Sequence, residues 1–214
     1  MACVAFVMLG NWQSRRGAEK RELAAALDRS LASPPIELPA HTLDLVHKHV
    51  AARGHFLAER TILLDNKLRG GRPGYEVVAP LLIGASSVHV LVDRGWVAAP
   101  ATREQLPDLR TPAGTVRVEG IALERIPHAF SAGTSSGRVR QNLDVAQYAV
   151  ETGLQFLPIV IEQHSDLDDG LLREWPRVDF GVEKHDSFAL QWYSFAALAI
   201  VLAIALSFRR VAQN

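Results

Sequence analysis

The chain has 214 residues, and its 23 basic and 23 acidic side chains cancel at neutral pH, so no net field exists to draw nucleic acid or an acidic partner. Its single cysteine, Cys3, excludes an intrachain disulfide and any multi-cysteine metal site. The length allows one medium domain plus one or two membrane segments, and a mean hydropathy just above zero fits a mainly soluble chain with short membrane parts.

Met1 to Gly10 (MACVAFVMLG) is an apolar run about half as long as a spanning helix needs. No basic residue precedes Asn11, which argues against a signal peptide. The run reads instead as the last half of a transmembrane helix whose beginning is missing, with a buried helix start as the alternative. Trp12 after it suits the water–lipid interface. Between Glu19 and Leu31, apolar residues recur at helical spacing, and Pro34-Pro35 ends that helix.

From about His47 the pattern becomes that of strands. Lys48–Phe56 alternates, Thr61–Asp65 is a second apolar run, and Tyr75–Ile83 and Val88–Val97 are joined at hairpin length by Gly84-Ala85-Ser86-Ser87. Thr115–Leu123 alternates again and echoes His49–Arg60, each with a central glycine of the kind that marks a bulge or tight bend. The echo suggests strand pairs curling into a barrel-like sheet. Ser131–Gly137 reads as a loop, Asn142–Leu154 as a helix, Leu157–Gln163 as a buried strand and Arg177–Glu183 as a last strand. The expected fold class is α+β, with an antiparallel, barrel-like, β-rich domain flanked by terminal membrane helices.

Phe188 to Phe208 has no formal charge over about 21 residues, enough for a helix to cross a hydrocarbon core. The expected division is therefore a shortened first membrane helix over 1–11, an extracytoplasmic domain over 12–184, a second membrane helix over 185–208 and a tail over 209–214. Arg209 and Arg210 place that tail in the cytoplasm by the positive-inside tendency.

Most clusters of reactive residues have a plainer reading. His47 and His49 would share one face of a strand and could hold a metal, but no third ligand is implied, and exposed histidines are usually polar surface. Gly133–Arg138 looks like a phosphate cradle without the spacing or lysine of a P-loop, so a solvated linker is the simpler account. Asp166, Asp168 and Asp169 resemble half a calcium loop, lacking its glycine and terminal glutamate. Asp93-Arg94-Gly95-Trp96 at a strand end reads equally as a structural arginine or a binding residue. No nucleophile or acid–base set stands out, so the chain is not expected to be an enzyme.

His185 stands at the mouth of the second span, and on a helix it shares a face with Phe188/Ala189 and Trp192. An imidazole there can ligate a haem iron while the porphyrin lies against the helix. The alternative is an interfacial anchor, since His, Trp and Tyr belong in that belt.

Several motifs together resemble the surfeit-locus-one family, the Shy-type cytochrome c oxidase assembly proteins. They are Leu9-Gly10-Asn11-Trp12-Gln13 with Arg16 and Lys20; Pro73-Gly74-Tyr75 with Val77 and Pro80-Leu81; Val92-Asp93-Arg94-Gly95-Trp96; and His185, Ala189 and Trp192-Tyr193. All four occur in the family's order over nearly the whole chain. Asp93 stands where the family pattern has Asn, Phe188 where it has Tyr, Arg140-Gln141-Asn142 where it has an aromatic, and Glu183-Lys184 where it has an amide-rich lead-in.

The resemblance implies a protein of the bacterial inner membrane with two helices and a periplasmic domain, acting in the maturation of haem–copper oxidases. It implies haem a as cofactor, His185 as the residue associated with haem, and insertion of haem a into the oxidase catalytic subunit. That subunit, haem a synthase and the lipid bilayer are the implied partners, and nucleic acid is not. The departures leave a second reading open, a membrane scaffold that holds an oxidase subunit without binding haem.

Overall fold

The computed structural model describes residues 2–39, 44–102, 105–127, 137–175 and 182–211, with the backbone alone for 2, 23, 24, 182–185 and 204–211. The elements are α1 (Ala2–Leu31), β1 (Ile36–Leu38), β2 (His49–Phe56), β3 (Ile62–Arg69), β4 (Arg72–Ile83), β5 (Val88–Ala98), β6 (Val116–Leu123), β7 (Val139–Arg140), α2 (Val145–Thr152), β8 (Gln155–Gln163) and α3 (Val182–Val211), with a 3-10 turn at Ala58–Arg60. They form two compact units: Arg29–Pro176, and Met1–Asp28 together with Arg177–Asn214.

The larger unit is built on a closed five-stranded barrel. Going round it, β2 pairs with β6, β6 with β8, β8 with β5, β5 with β4, and β4 returns to β2. β1 extends the sheet beside β2, and β3 and β7 extend it beside β4. Alternation decides which side chains fill the interior. Val50, Ala52 and Phe56 of β2, Ala79, Leu81 and Ile83 of β4, Val90 and Val92 of β5, Val118 and Ala122 of β6, and Ile159 and Ile161 of β8 all belong to one buried cluster.

The alternate residues are buried too. Val78, Leu91 and Val160 lie under α2 with Tyr148, Ile62 and Leu64, which is why β4 and β5 read as near-continuous apolar runs. Asp144 caps α2 by accepting a hydrogen bond from the Gln147 amide at 2.8 Å, and Gly153 ends it in the left-handed conformation.

Closure depends on two glycines. β2 pairs with β6 from His49 to Gly54 and with β4 from Gly54 to Phe56. β6 meets β2 from Val116 to Ile121 and β8 from Gly120 to Leu123. At each corner a methyl group would overlap a carbonyl oxygen, that of Leu82 against Gly54 and that of Glu162 against Gly120. The two echoing segments thus both lie where a strand passes from one partner to the next.

The sheet is mixed, which corrects the expectation of an antiparallel domain. β5 and β8 run parallel, as do β1 with β2 and β3 with β7. β8 enters between β5 and β6 after the excursion through β7 and α2, and this reverses its sense relative to a hairpin neighbour. The N-terminal residues form one helix of 30 residues, not an apolar segment and a separate amphipathic helix. Of the strand expected over Arg177–Glu183, residues 177–181 lie outside the described residues, and Val182–Glu183 open α3.

Candidate functional site

α1 and α3 form an antiparallel pair. Near the start of α1, Phe6 stacks on Trp192 with ring centroids 5.9 Å apart and packs at the same distance against Phe195. One turn on, Asn11 Oδ1 accepts a hydrogen bond from the Tyr193 hydroxyl at 2.8 Å, and Ser14 Oγ lies 3.4 Å from the same oxygen. At the far end, Arg21 holds both carboxylate oxygens of Asp186 at 2.9 and 3.1 Å.

Small residues let the two backbones approach. Gly10 and Gly17 are buried on α1, and Ala189 and Ala196 on α3. A side chain at Gly10 would sit 2.6 Å from the Tyr193 ring. These contacts set the level of each residue along the pair. The charged stretch Arg15–Arg21 runs beside the first turns of α3, whereas the apolar start of α1 runs beside Trp192 and beyond. Among the described residues one helical window, Asp186–Ala203, is long and apolar enough to cross a membrane.

His185 occupies a backbone position in the first turn of α3, level with the Arg21–Asp186 ion pair. At 100° per residue it shares a side of the helix with Phe188, Trp192 and Phe195. Phe188 and Phe195 are 49% and 40% exposed, and Trp192 is half-buried. This stripe has the character needed to hold a flat apolar ring: an imidazole position at its polar end and aromatic faces below. The Trp192 indole is already engaged, stacked on Phe6 and edge-on to Phe195 at 5.9 Å.

A second polar centre lies in the barrel unit. Val77 pairs with Gly95 and Val78 with Asp93, so Arg94 is the extra residue of a β-bulge. Gly95 adopts φ 137°, and a Cβ there would meet the Leu172 carbonyl oxygen at 2.8 Å, so both backbone and space require glycine. Alternation with Val90 and Val92 turns Arg94 inward, where it is fully buried with its guanidinium 4.7 Å from the Phe56 ring.

Arg94 donates to Asp169 Oδ2 at 2.9 Å, the Arg110 carbonyl at 2.8 Å and Thr111 Oγ1 at 3.2 Å. Asp169 also receives Arg173 at 2.6 Å. Burial draws the Arg94 pKa below its ordinary value, and Asp169 opposes that shift. Trp96 exchanges backbone hydrogen bonds with Leu172 at 2.8 Å and donates its indole N–H to the Lys67 carbonyl. The Val-Asp-Arg-Gly-Trp stretch therefore fastens the segment around Asp169–Leu172 to β5.

Asp93 faces outward from the barrel but is 3% exposed, with Glu162 beside it in register on β8 and Glu76 on β4. Burial first, then repulsion from Glu76 and Glu162, pushes its pKa well above the usual carboxylate range, against the attraction of Lys67. Lys67 and Arg69 are committed to Glu76 at 2.6 and 2.9 Å. The shift favours the protonated carboxyl, which carries the same charge as the Asn of the family pattern.

The other sequence candidates do not come together. His47 lies in a turn with φ 62°, off the strand, while His49 on β2 pairs its Nδ1 with the Ser33 carbonyl oxygen at 2.7 Å. Asp169 is bound by two arginines and Asp166 lies apart from it at the surface. Among the described residues no three His, Cys, Asp or Glu side chains are grouped to hold a metal ion. Gly133–Ser136 lie outside the described residues; Gly137 and Arg138 line a cleft beside α2. The Arg21–Asp186 and Arg94–Asp169 pairs escape sequence reading because their partners are 165 and 75 residues apart. A lone arginine in an apolar strand is the signal that such a partner must exist.

A model of the SURF1 family matches residues 1–197 of the chain. A SURF1-like protein of Monosiga brevicollis is 26% identical over 217 residues, covering 92% of this chain and 82% of its own length. Surfeit locus protein 1 of Mus musculus is 27% identical over 208 residues, covering 88% and 68%. The cytochrome oxidase assembly protein SHY1 of Saccharomyces cerevisiae is 33% identical over 95 residues, covering 42% of this chain and 24% of its own.

Proposed function

The chain belongs to the SURF1 family, and from that premise we propose that it serves the assembly of cytochrome oxidase, receiving haem a at His185 for insertion into the oxidase catalytic subunit. The name of the yeast relative supports the assembly role. The observation that carries the haem reading is the stripe on α3: a histidine position in its first turn, followed on the same side by Phe188, Trp192 and Phe195. Aromatic and aliphatic faces would hold a porphyrin, and a neutral imidazole would bind its iron. His185 would hold the iron, and Phe188 and Trp192 the macrocycle. When bound, haem a brings the iron centre that the oxidase requires; this chain's residues bind it, orient it and keep one side dry.

In this reading the apolar start of α1, residues 2–11, and residues 185–208 of α3 lie in the plasma membrane and the barrel unit outside the cytoplasm, with Arg209 and Arg210 on the inner side. Haem a synthase is the natural donor and the catalytic subunit the acceptor. A second reading, a scaffold that holds an oxidase subunit without haem, is favoured by one observation: Phe6 already covers the Trp192 indole.

Complementation of a deletion strain separates the two. Loss of membrane cytochrome oxidase activity on deletion and its return with the full chain are expected for both. Return with His185→Ala at wild-type level supports the scaffold, whereas a drop to a small fraction of wild type supports the haem reading. No loss of oxidase activity on deletion would contradict the assembly role itself.

A further inference from the structure

Beside α2, the 3-10 turn, the start of β3 and β7 enclose a cleft of about 160 Å³. Three arginines line it: Arg60, Arg138 and Arg140. Arg140 is spoken for. Its side chain is buried, forms a two-pronged pair with Glu151, donates to the Gly137 carbonyl and lies 5.3 Å from the Tyr148 ring. That pairing holds the Glu151 carboxyl below the usual carboxylate range, so the pair is neutral in sum.

Arg60 and Arg138 are different. Both are exposed, and among the described residues neither side chain forms a hydrogen bond or a salt bridge, although Arg60 lies near enough to Glu151 to help lower its pKa. Glu59 also lines the cleft and forms no ion pair with either of them, which leaves the wall with one positive charge in excess. The wall also contains an orphan. Thr61 is 3% exposed, and its hydroxyl has no hydrogen-bond partner. A buried hydroxyl left unpaired costs about 1–3 kcal/mol, a penalty that a ligand oxygen can remove. The neighbouring hydroxyls are engaged elsewhere and neither bonds it: the Tyr148 hydroxyl donates to the Arg60 carbonyl at 2.6 Å, and the Thr152 hydroxyl to the Tyr148 carbonyl at 2.7 Å.

We propose that this cleft binds an oxyanion, a single phosphate or carboxylate group, between the guanidinium groups of Arg60 and Arg138 with the Thr61 hydroxyl as a further donor. Guanidinium groups suit such an ion because their paired N–H donors match two oxygens at once. The site is independent of His185 and of any haem, and the oxyanion is either a free ion or the headgroup of a lipid.

The full chain in neutral detergent is titrated with inorganic phosphate at constant ionic strength, and thermal unfolding is followed by tryptophan fluorescence. The wild type is expected to show a saturable rise in Tm. In Arg60→Gln/Arg138→Gln the apparent affinity falls at least about tenfold, while Arg53→Gln, at an exposed position on β2, responds as the wild type does. A parallel titration uses micelles doped with an anionic phospholipid. Saturation by lipid that phosphate displaces assigns the headgroup, and saturation by phosphate alone assigns the free ion. No saturable shift with either, or equal shifts in wild type and double variant, overturns the proposal.

Discussion

Arg94 carries its charge into the end of a closed barrel, and the surrounding residues explain how that is tolerated. Asp169, the Arg110 carbonyl and Thr111 accept three hydrogen bonds from its two terminal nitrogens while Phe56 covers the planar face, and the buried Nε has no partner among the described residues. Removing one member of a buried pair strands the rest, so Arg94→Ala should cost about 3–5 kcal/mol in urea unfolding of the full chain in detergent. Arg94→Met keeps the stem, and Arg173 still holds Asp169, so it should cost clearly less. A cost below about 1 kcal/mol for the alanine variant would show that the buried pair contributes little. Asp93 gives a prediction with a sign. Its pKa is raised on folding, so the wild type loses stability as pH rises from the unfolded value near 3.8 through the folded one. Asp93→Asn has no such titration. Its Tm should match the wild type near the acid end of that window and exceed it increasingly as pH rises through the window, then by a constant margin above it. A Tm difference that is flat with pH would contradict the raised pKa.

At the scale of the elements, the barrel depends on two strands that change partners. Gly120→Ala would drive a methyl group into the Glu162 carbonyl, and Gly54→Ala into that of Leu82. Each should cost about 3 kcal/mol, while an alanine at Gly71, which has open space around it, loses far less despite its positive φ. Equal losses at all three positions in denaturant titrations would remove the corner role. The two corner glycines are legible from sequence because they sit at the centre of strands that otherwise alternate, and so is α2, from Asp144 and Gly153. Strand direction is not. Leu157–Gln163 shows its burial, but nothing local tells whether a strand following an excursion enters parallel or antiparallel to β5. β1 and β7, at three and two residues, are too short to carry a period. The continuity of α1 is hidden for a different reason: its middle, Trp12–Ala18, changes from apolar to charged, and the helix runs on through that shift.

For the whole molecule, the family motifs fall into two roles. Val-Asp-Arg-Gly-Trp fastens the segment around Asp169–Leu172 to the barrel, and Pro73-Gly74-Tyr75 lies on β4, where Gly74 leaves room for the Trp96 ring. Leu9–Gln13 and Trp192-Tyr193 belong to the α1–α3 pair, where Asn11 meets Tyr193. The motifs on the chain are thus as much about holding each unit together as about binding. His185 and Trp192 are legible as one face of a helix, but that Phe6 lies on the indole is not, because it depends on the pairing of α1 with α3 over nearly the full length of the chain. The central claim rests on His185. The absorption spectrum of the full chain, purified in detergent from cells that make haem a, tests it directly. The account predicts a Soret band in the wild type that is lost in His185→Ala while the circular dichroism of the two stays the same. Bands of equal intensity in both, or no band in the wild type when haem is supplied in excess, would contradict it.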